Sequence, residues 1–268
     1  MHHARGMCIF ARLRAASAKV FARAGLEDGL AVLPSRLPLL SFADAADRWT
    51  TQTDAVIGGF SECQLEPHGQ SSLLWTGRTA LESDPQRAKL IKNDQGKKVT
   101  RTGFVSMRTE VTDDQWELFD FDGLCVRMRA DERSYVLNVR ADNVLGDHRR
   151  DDLYQVQIAP FLDHARARAH RQHGDGKALD FVDVRIPWGA FTLTWRGYVQ
   201  GQRSPPMHLG RLTHLGFLLA DKQEGSFACA FESISAFRYE EWELERDDHV
   251  RRAAELNVAH GYADMRDG

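Results

Sequence analysis

Apolar and polar side chains alternate with a period of two, again and again, through the middle of this chain, and no long helical period lies between the alternating runs. In Leu124-Cys-Val-Arg-Met-Arg129 the residues Leu124, Val126 and Met128 point one way and Arg127 and Arg129 the other, as in a strand with one wet face. The same alternation returns in Tyr135 to Arg140, Tyr154 to Ile158 and Val182 to Ile186, the last stopped by Pro187. Thr213 to Leu219 and Phe227 to Phe231 follow, and Ser61 to Leu65, Ser72 to Leu81 and Gly103 to Glu110 precede them. Roughly nine short strands separated by turn residues predict an all-β antiparallel sandwich or jelly roll.

Size and charge limit what such a domain does. A chain of 268 residues with 43% hydrophobic content buries a substantial core. Its 35 basic and 38 acidic side chains nearly cancel, so no chain-wide positive field attracts a phosphate backbone, and nucleic acid is not the expected partner. No apolar run reaches the about 18 residues of a spanning helix, so any association with a membrane is expected to be peripheral. Cys8, Cys63, Cys125 and Cys229 form no CxxC pair, which argues against zinc, and Cys125 and Cys229 sit in apolar runs where buried hydrophobes are expected over a disulfide, which fits a reducing compartment.

The two ends differ from the middle. No acid precedes Glu27, whereas Arg5, Arg12, Arg14, Lys19 and Arg23 are basic. On a helix Phe10, Leu13, Ser17, Val20, Phe21 and Ala24 share one side, giving a basic amphipathic segment that is either a mitochondrial presequence or an ordinary basic arm. Leu33 to Leu40 holds Pro34 and Pro38 and is expected to be a linker, so residues 1–40 form a leader, 41–239 the sandwich and 240–268 a charged tail. In that tail Trp242, Val250, Ala254 and Val258 are spaced for a weakly amphipathic helix, docking or merely solvated.

The candidates for chemistry have structural alternatives. Asp54 and Asp221 could act as paired carboxylates, or accept hydrogen bonds from turn amides. Gly58 and Gly59 could admit a ligand, or supply backbone angles closed to other residues. Ser106 and Arg108 are placed opposite Phe104 and Met107 on a strand, with an ion pair expected for Arg108 and no nearby histidine to activate Ser106. His164, His170 and His173 lie in the basic loop Ala165 to Gly176 or beside it, a poor scaffold for a metal. Trp49, Trp75, Trp116, Trp188, Trp195 and Trp242 offer either a sugar-stacking platform or core aromatics. That loop and a second, Arg196 to Leu209, are natural places for binding. No GxSxG, P-loop, HExxH or GxGxxG pattern is present, so no enzyme, cofactor or metal is expected.

Five segments in order resemble the complex I intermediate-associated protein 30 family, whose domain is a galactose-binding-like jelly roll. Trp49 and Asp54-Ala-Val-Ile-Gly-Gly-Phe-Ser61 are similar to its Asp-x-x-x-Gly-Gly-x-Ser signature, with Ile57 where methionine is commoner. Thr102-Gly-Phe-Val-Ser-Met-Arg108 resembles Gly-Gly-Phe-x-Ser-x-Arg, with Thr102 in place of the first glycine. Phe121-Asp-Gly-Leu and Arg129-Ala-Asp-Glu-Arg-Ser-Tyr135 resemble the next strand pair, and Val184-Arg-Ile-Pro-Trp-Gly-Ala-Phe191 the Ile-Pro-Phe-x-x-Phe segment. Leu215-Gly-Phe leading to Asp221-Lys-Gln-Glu-Gly-Ser-Phe227 is similar to the closing run.

The resemblance implies a non-catalytic assembly factor that holds intermediates of mitochondrial respiratory complex I at the matrix face of the inner membrane. Its partners would be complex I subunits and other assembly factors. A resident accessory subunit and a glycan-binding module are the alternatives. The motif residues Asp54, Gly58, Gly59, Ser61, Gly103, Phe104, Ser106, Arg108, Asp221, Lys222 and Gln223 are the positions at which contact with a partner is expected.

Overall fold

The computed structural model describes residues 34–44, 46–84, 86, 102–111, 116–142, 152–163, 181–195, 198–200 and 207–240. Two antiparallel sheets pack face to face as a jelly-roll-like β-sandwich. The first sheet is built from β1 (Arg36–Ser41), β3 (Glu62–His68), β4 (Ser72–Thr79), β6 (Gly123–Ala130), β9 (Val182–Pro187) and β13 (Gly225–Phe237), in the order β3-β4-β13-β6-β9. The second holds β2 (Thr50–Thr53), β5 (Val105–Glu110), β7 (Tyr135–Ala141), β8 (Asp152–Ile158), β10 (Thr192–Trp195), β11 (Tyr198–Val199) and β12 (Leu212–Leu219), in the order β11-β10-β8-β7-β12-β5-β2.

The period of two sorts side chains between core and surface as the sequence predicts. Leu124, Val126, Met128 and Ala130 of β6 are buried together with Leu215, Phe217 and Leu219 of β12 and Leu137 and Val139 of β7. Aromatic rings fill the space between the sheets: Phe42 stacks on Trp49 at 4.8 Å and 12°, and Phe217 meets Phe231 at 4.4 Å. Such pairs add roughly 0.5–1.5 kcal/mol beyond the area they bury.

Strand β13 organises the first sheet, because its 13 residues serve two neighbours on one side. Gly225 to Phe231 pairs with β4, and Ser233 to Phe237 pairs with β1, while β6 runs along the other side.

This overturns the expected linker. From Arg36 on the expected connector is strand β1, which pairs antiparallel with β13, so the first sheet already includes residues before Ser41. Among the described residues β1 pairs with β13 alone and its register shifts between Pro38 and Leu40, and edge strands and irregular registers are where a sheet accommodates proline. Within the second expected loop, Tyr198 and Val199 pair with β10, and Met207 and Leu209 are buried. The amphipathic leader, the basic loop with His164, His170 and His173, and the tail from residue 241 lie outside the described residues. Among the described residues no helix is long and apolar enough to cross a membrane.

Candidate functional site

Four of the motif segments converge at one end of the sandwich. There β2 ends at Thr53 opposite Val105, where β5 begins, β12 ends at Leu219 opposite the same Val105, and β4 ends at Thr79 opposite Gly225, where β13 begins. The turns leaving these strands must therefore meet.

The first hub is centred on Asp54, which is fully buried. Thr53 starts a short 3₁₀ turn, Asp54–Ile57, by accepting a hydrogen bond from the Ala55 amide at 3.2 Å, and Gly58 closes it in the left-handed conformation, φ 86°. The Asp54 carboxylate then gathers distant chain. Its Oδ1 accepts from the Ser61 amide at 2.9 Å, and its Oδ2 accepts from the Ser61 hydroxyl at 2.8 Å and the Gly103 amide at 2.6 Å. The Phe104 amide adds a longer contact at 3.4 Å, and the Asp54 amide donates back to the Phe104 carbonyl at 3.1 Å. Gly59 has to be glycine here, since a Cβ at that position would lie 2.1 Å from Asp54 Cγ.

A second hub lies at Asp221. Arg133 grips its carboxylate with Nε, at 2.8 Å, and with a second nitrogen, and the two side chains are only 8% and 6% exposed. The same guanidinium donates to Thr79 Oγ1 at 3.0 Å and to the Gln223 carbonyl at 2.7 Å. Lys222 takes the left-handed conformation, φ 61°, to turn the loop, and its side chain is exposed, as is Gln223. Burial works to raise the Asp221 carboxyl, but the hydrogen bonds and charge of Arg133 outweigh it and hold the group below the usual carboxylate range. The hydrogen bonds that Arg133 donates to Asp221 hold it charged more firmly than a free guanidinium. Asp131 completes the turn, accepting from the Arg133 amide at 3.0 Å, the Tyr135 hydroxyl at 2.9 Å and the Ala228 amide at 2.8 Å.

The hubs are joined through residues 79–81. Ala80 donates to Ser61 Oγ at 3.0 Å, Thr79 Oγ1 donates to the Gln223 carbonyl at 2.6 Å, and the Leu81 amide donates to Glu224 Oε1 at 2.8 Å. Both carboxylates are thus occupied by amides, hydroxyls and a guanidinium, which fits the turn-acceptor reading.

Of the motif positions, Asp54, Gly58, Gly59, Ser61, Gly103 and Phe104 meet in the first hub, and Asp221, Lys222 and Gln223 form the second. Ser106 and Arg108 belong to neither, because they sit further along β5 on the outer face of the seven-stranded sheet. Here the expected phase is corrected: Phe104 lies in step with Ser106 and Arg108, while Val105, Met107 and Thr109 face inward. Arg108 is exposed and makes no ion pair among the described residues, and the Ser106 hydroxyl donates to the Gln52 carbonyl at 3.3 Å. Trp49, Trp75, Trp116 and Trp188 are all buried, so these four are core aromatics and not a stacking platform. The side chain of Trp195 and all of Trp242 lie outside the described residues.

Sequence reasoning passed over Arg133, Asp131 and Thr79. Asp-Glu-Arg-Ser in a turn has the look of a solvated corner. The available signal is that an Arg and an Asp each follow a strand within three residues, Arg133 after β6 and Asp221 after β12, and only the packing of the two sheets brings those turns together.

Comparison with known proteins follows the same span of chain. Residues 40–230 match the family described as Complex I intermediate-associated protein 30. The mouse protein named "Complex I intermediate-associated protein 30, mitochondrial" is 24% identical over 193 residues, covering 71% of this chain, and the chain spans about half, 52%, of that relative's length. Among solved structures, a family 11 carbohydrate-binding module from Clostridium thermocellum in complex with a mixed-linked tetrasaccharide superposes with a TM-score of 0.46 at 10% identity, covering 76% of this chain and 95% of the module. The solution structure of CtCBM11 gives a TM-score of 0.47 at 11% identity, covering 79% and 100%.

Proposed function

This chain belongs to the Complex I intermediate-associated protein 30 family, and from that membership we propose that it is a non-catalytic binding protein that holds intermediates of respiratory complex I during their assembly in the mitochondrion. The family match over residues 40–230, most of the sandwich, carries the reading, supported by a relative whose name places it in mitochondria. The chemistry at the motif end agrees with a scaffold role, because its charged groups are occupied in holding turns together. A protein of this kind acts through the shape of its surface and not through a reacting atom.

Deleting the gene and resolving mitochondrial complexes on a native gel tests the proposal. The expected result is loss of mature complex I with accumulation of smaller intermediates, and unchanged complex I would overturn it. Quantitative co-purification adds a second check: an assembly factor is found with intermediates and at well below one copy per finished complex.

A further inference from the structure

Arg108 and Gly216, both within motif segments, lie outside the two hubs and face each other. Arg108 of β5 pairs with Gly216 of β12, and Gly216 pairs on its other side with Asn138 of β7, so the three form one row across the middle of the seven-stranded sheet. They lie on its outer face, because their neighbours in sequence, Met107, Leu215, Phe217, Leu137 and Val139, are buried in the core. Crowding demands the glycine: a Cβ there would lie 2.8 Å from the Met107 carbonyl and 3.2 Å from Arg108 Cβ. In consequence no side chain stands between Arg108 and Asn138, whose Cα atoms are two strand spacings, about 10 Å, apart.

The row offers hydrogen-bond donors. Arg108 is exposed, and its guanidinium has no hydrogen bond or ion pair among the described residues. Asn138 Oδ1 accepts from Gln155 Nε2 at 2.7 Å, and Gln155 Oε1 accepts from Thr194 Oγ1 at 2.8 Å. This relay engages both amide oxygens and leaves the Asn138 NH₂, which has no partner among the described residues, to donate. One row further on, Arg140 adds a second guanidinium without an ion pair among the described residues. The acid among the outward residues of these three strands is Glu110, and it lies 3.9 Å from His214 Nε2.

We propose that this face receives an aspartate or glutamate carboxylate from a segment of a partner protein, bound by Arg108 and Asn138 across Gly216. A guanidinium and an amide NH₂ both donate, and the guanidinium fork matches the two oxygens of a carboxylate. An open sheet face does not enclose a small anion as a pocket does, and an ion pair left in water contributes only about 0–1 kcal/mol. A protein partner excludes that water. Leu218 and Val136, paired in the adjacent row and half-buried, supply apolar contact beside the charge, so the acid is expected next to an apolar residue. The inference rests on the assembly reading for the origin of the partner, whereas its chemistry comes from the face alone.

The test uses the purified full chain and overlapping peptides tiled along the complex I subunits of the same organism, along unrelated mitochondrial proteins and along this chain itself. Expected are bound peptides that hold Asp or Glu beside an apolar residue and lose binding when that acid is replaced by its amide. Arg108→Gln should weaken binding about tenfold. Asn138→Asp keeps the acceptor for Gln155 but sets a negative oxygen against the incoming acid, and should weaken binding at least as much. Arg78→Gln, at an exposed arginine on the outer face of the other sheet, should leave it unchanged. The site is overturned if bound peptides lack an acid, if Arg108→Gln or Asn138→Asp has no effect, or if Arg78→Gln weakens binding as much. It is also overturned if peptides from this chain bind best, if none binds, or if succinate or inorganic phosphate at the peptide's own concentration displaces it, the mark of a small-anion site. The assembly reading fails separately: acidic peptides drawn only from proteins outside complex I would sustain the site and remove complex I as its target. Thermal melts matching the wild type keep a folding defect from being mistaken for a lost contact.

Discussion

Arg133 and Asp221, 88 residues apart in sequence, form a two-pronged ion pair that is almost wholly withdrawn from water and fastens the turn after β6 to the turn after β12. Removing one partner strands the other charge in a buried site. Arg133→Met and Asp221→Leu should each lower unfolding free energy by about 3–5 kcal/mol, with the double variant losing much less than the sum. Urea denaturation of the three variants measures this, and additive losses would show that the pair does not act as a unit.

The same pair sets a pH dependence. Because the folded-state pKa of Asp221 is depressed, its contribution to stability is fully present above the unfolded value of about 3.9 and disappears as pH falls through the folded value. In Arg133→Met that contribution is absent, so the stability gap between wild type and variant should be widest at neutral pH and shrink in acid below about pH 4. Denaturation midpoints at pH 3, 4, 5 and 7 follow the gap directly.

At the first hub, size and charge can be separated. Gly59→Ala drives a methyl group into the Asp54 carboxylate and should cost about 2–4 kcal/mol. Asp54→Asn keeps the volume but turns an amide NH₂ toward the donors of Ser61 and Gly103, with an expected loss of about 3 kcal/mol. Gly69→Ala, at φ 66° with open space around it, should cost only about 1 kcal/mol from its backbone angle. Melting temperatures should therefore rank Gly69→Ala nearest the wild type.

Cysteine reactivity should follow burial. The Cys125 thiol is pushed up to about 11 by burial and by the neighbouring Asp183, and burial raises Cys229 well above the ordinary thiol value. Cys63, half-buried and also raised by desolvation, is the most accessible of the three. Among the described cysteines, iodoacetamide at pH 8 should label Cys63 ahead of Cys125 and Cys229, which stay unmodified until denaturant is added, as read by peptide mass spectrometry.

Strands that are half-buried announce themselves in sequence, which is why β6, β7, β9 and β12 were legible from alternation alone. Those that were missed lack that contrast. Thr50 to Thr53 is polar throughout at a sheet edge, β1 carries Pro38, and β10 and β11 are short. Their conformation comes from the neighbour they pair with, not from their own residues.

The site divided the same way. Asp54 as an acceptor for turn amides could be inferred because the glycines and Ser61 that it holds are within seven residues. Its bond to Gly103 crosses 49 residues, and the Arg133 partnership with Asp221 crosses 88.

What the sequence determined alone was local: alternation that makes strands, glycine where a side chain or a positive φ forbids anything else, and the ordered motifs that mark the family. Which strands neighbour one another, which two turns share a buried charge, and which apolar residues stay uncovered were decided only by tertiary structure. The physical reason is that hydrogen-bond pairing and desolvation depend on groups brought together by the whole fold, and the spacing of residues along the chain does not encode that distance.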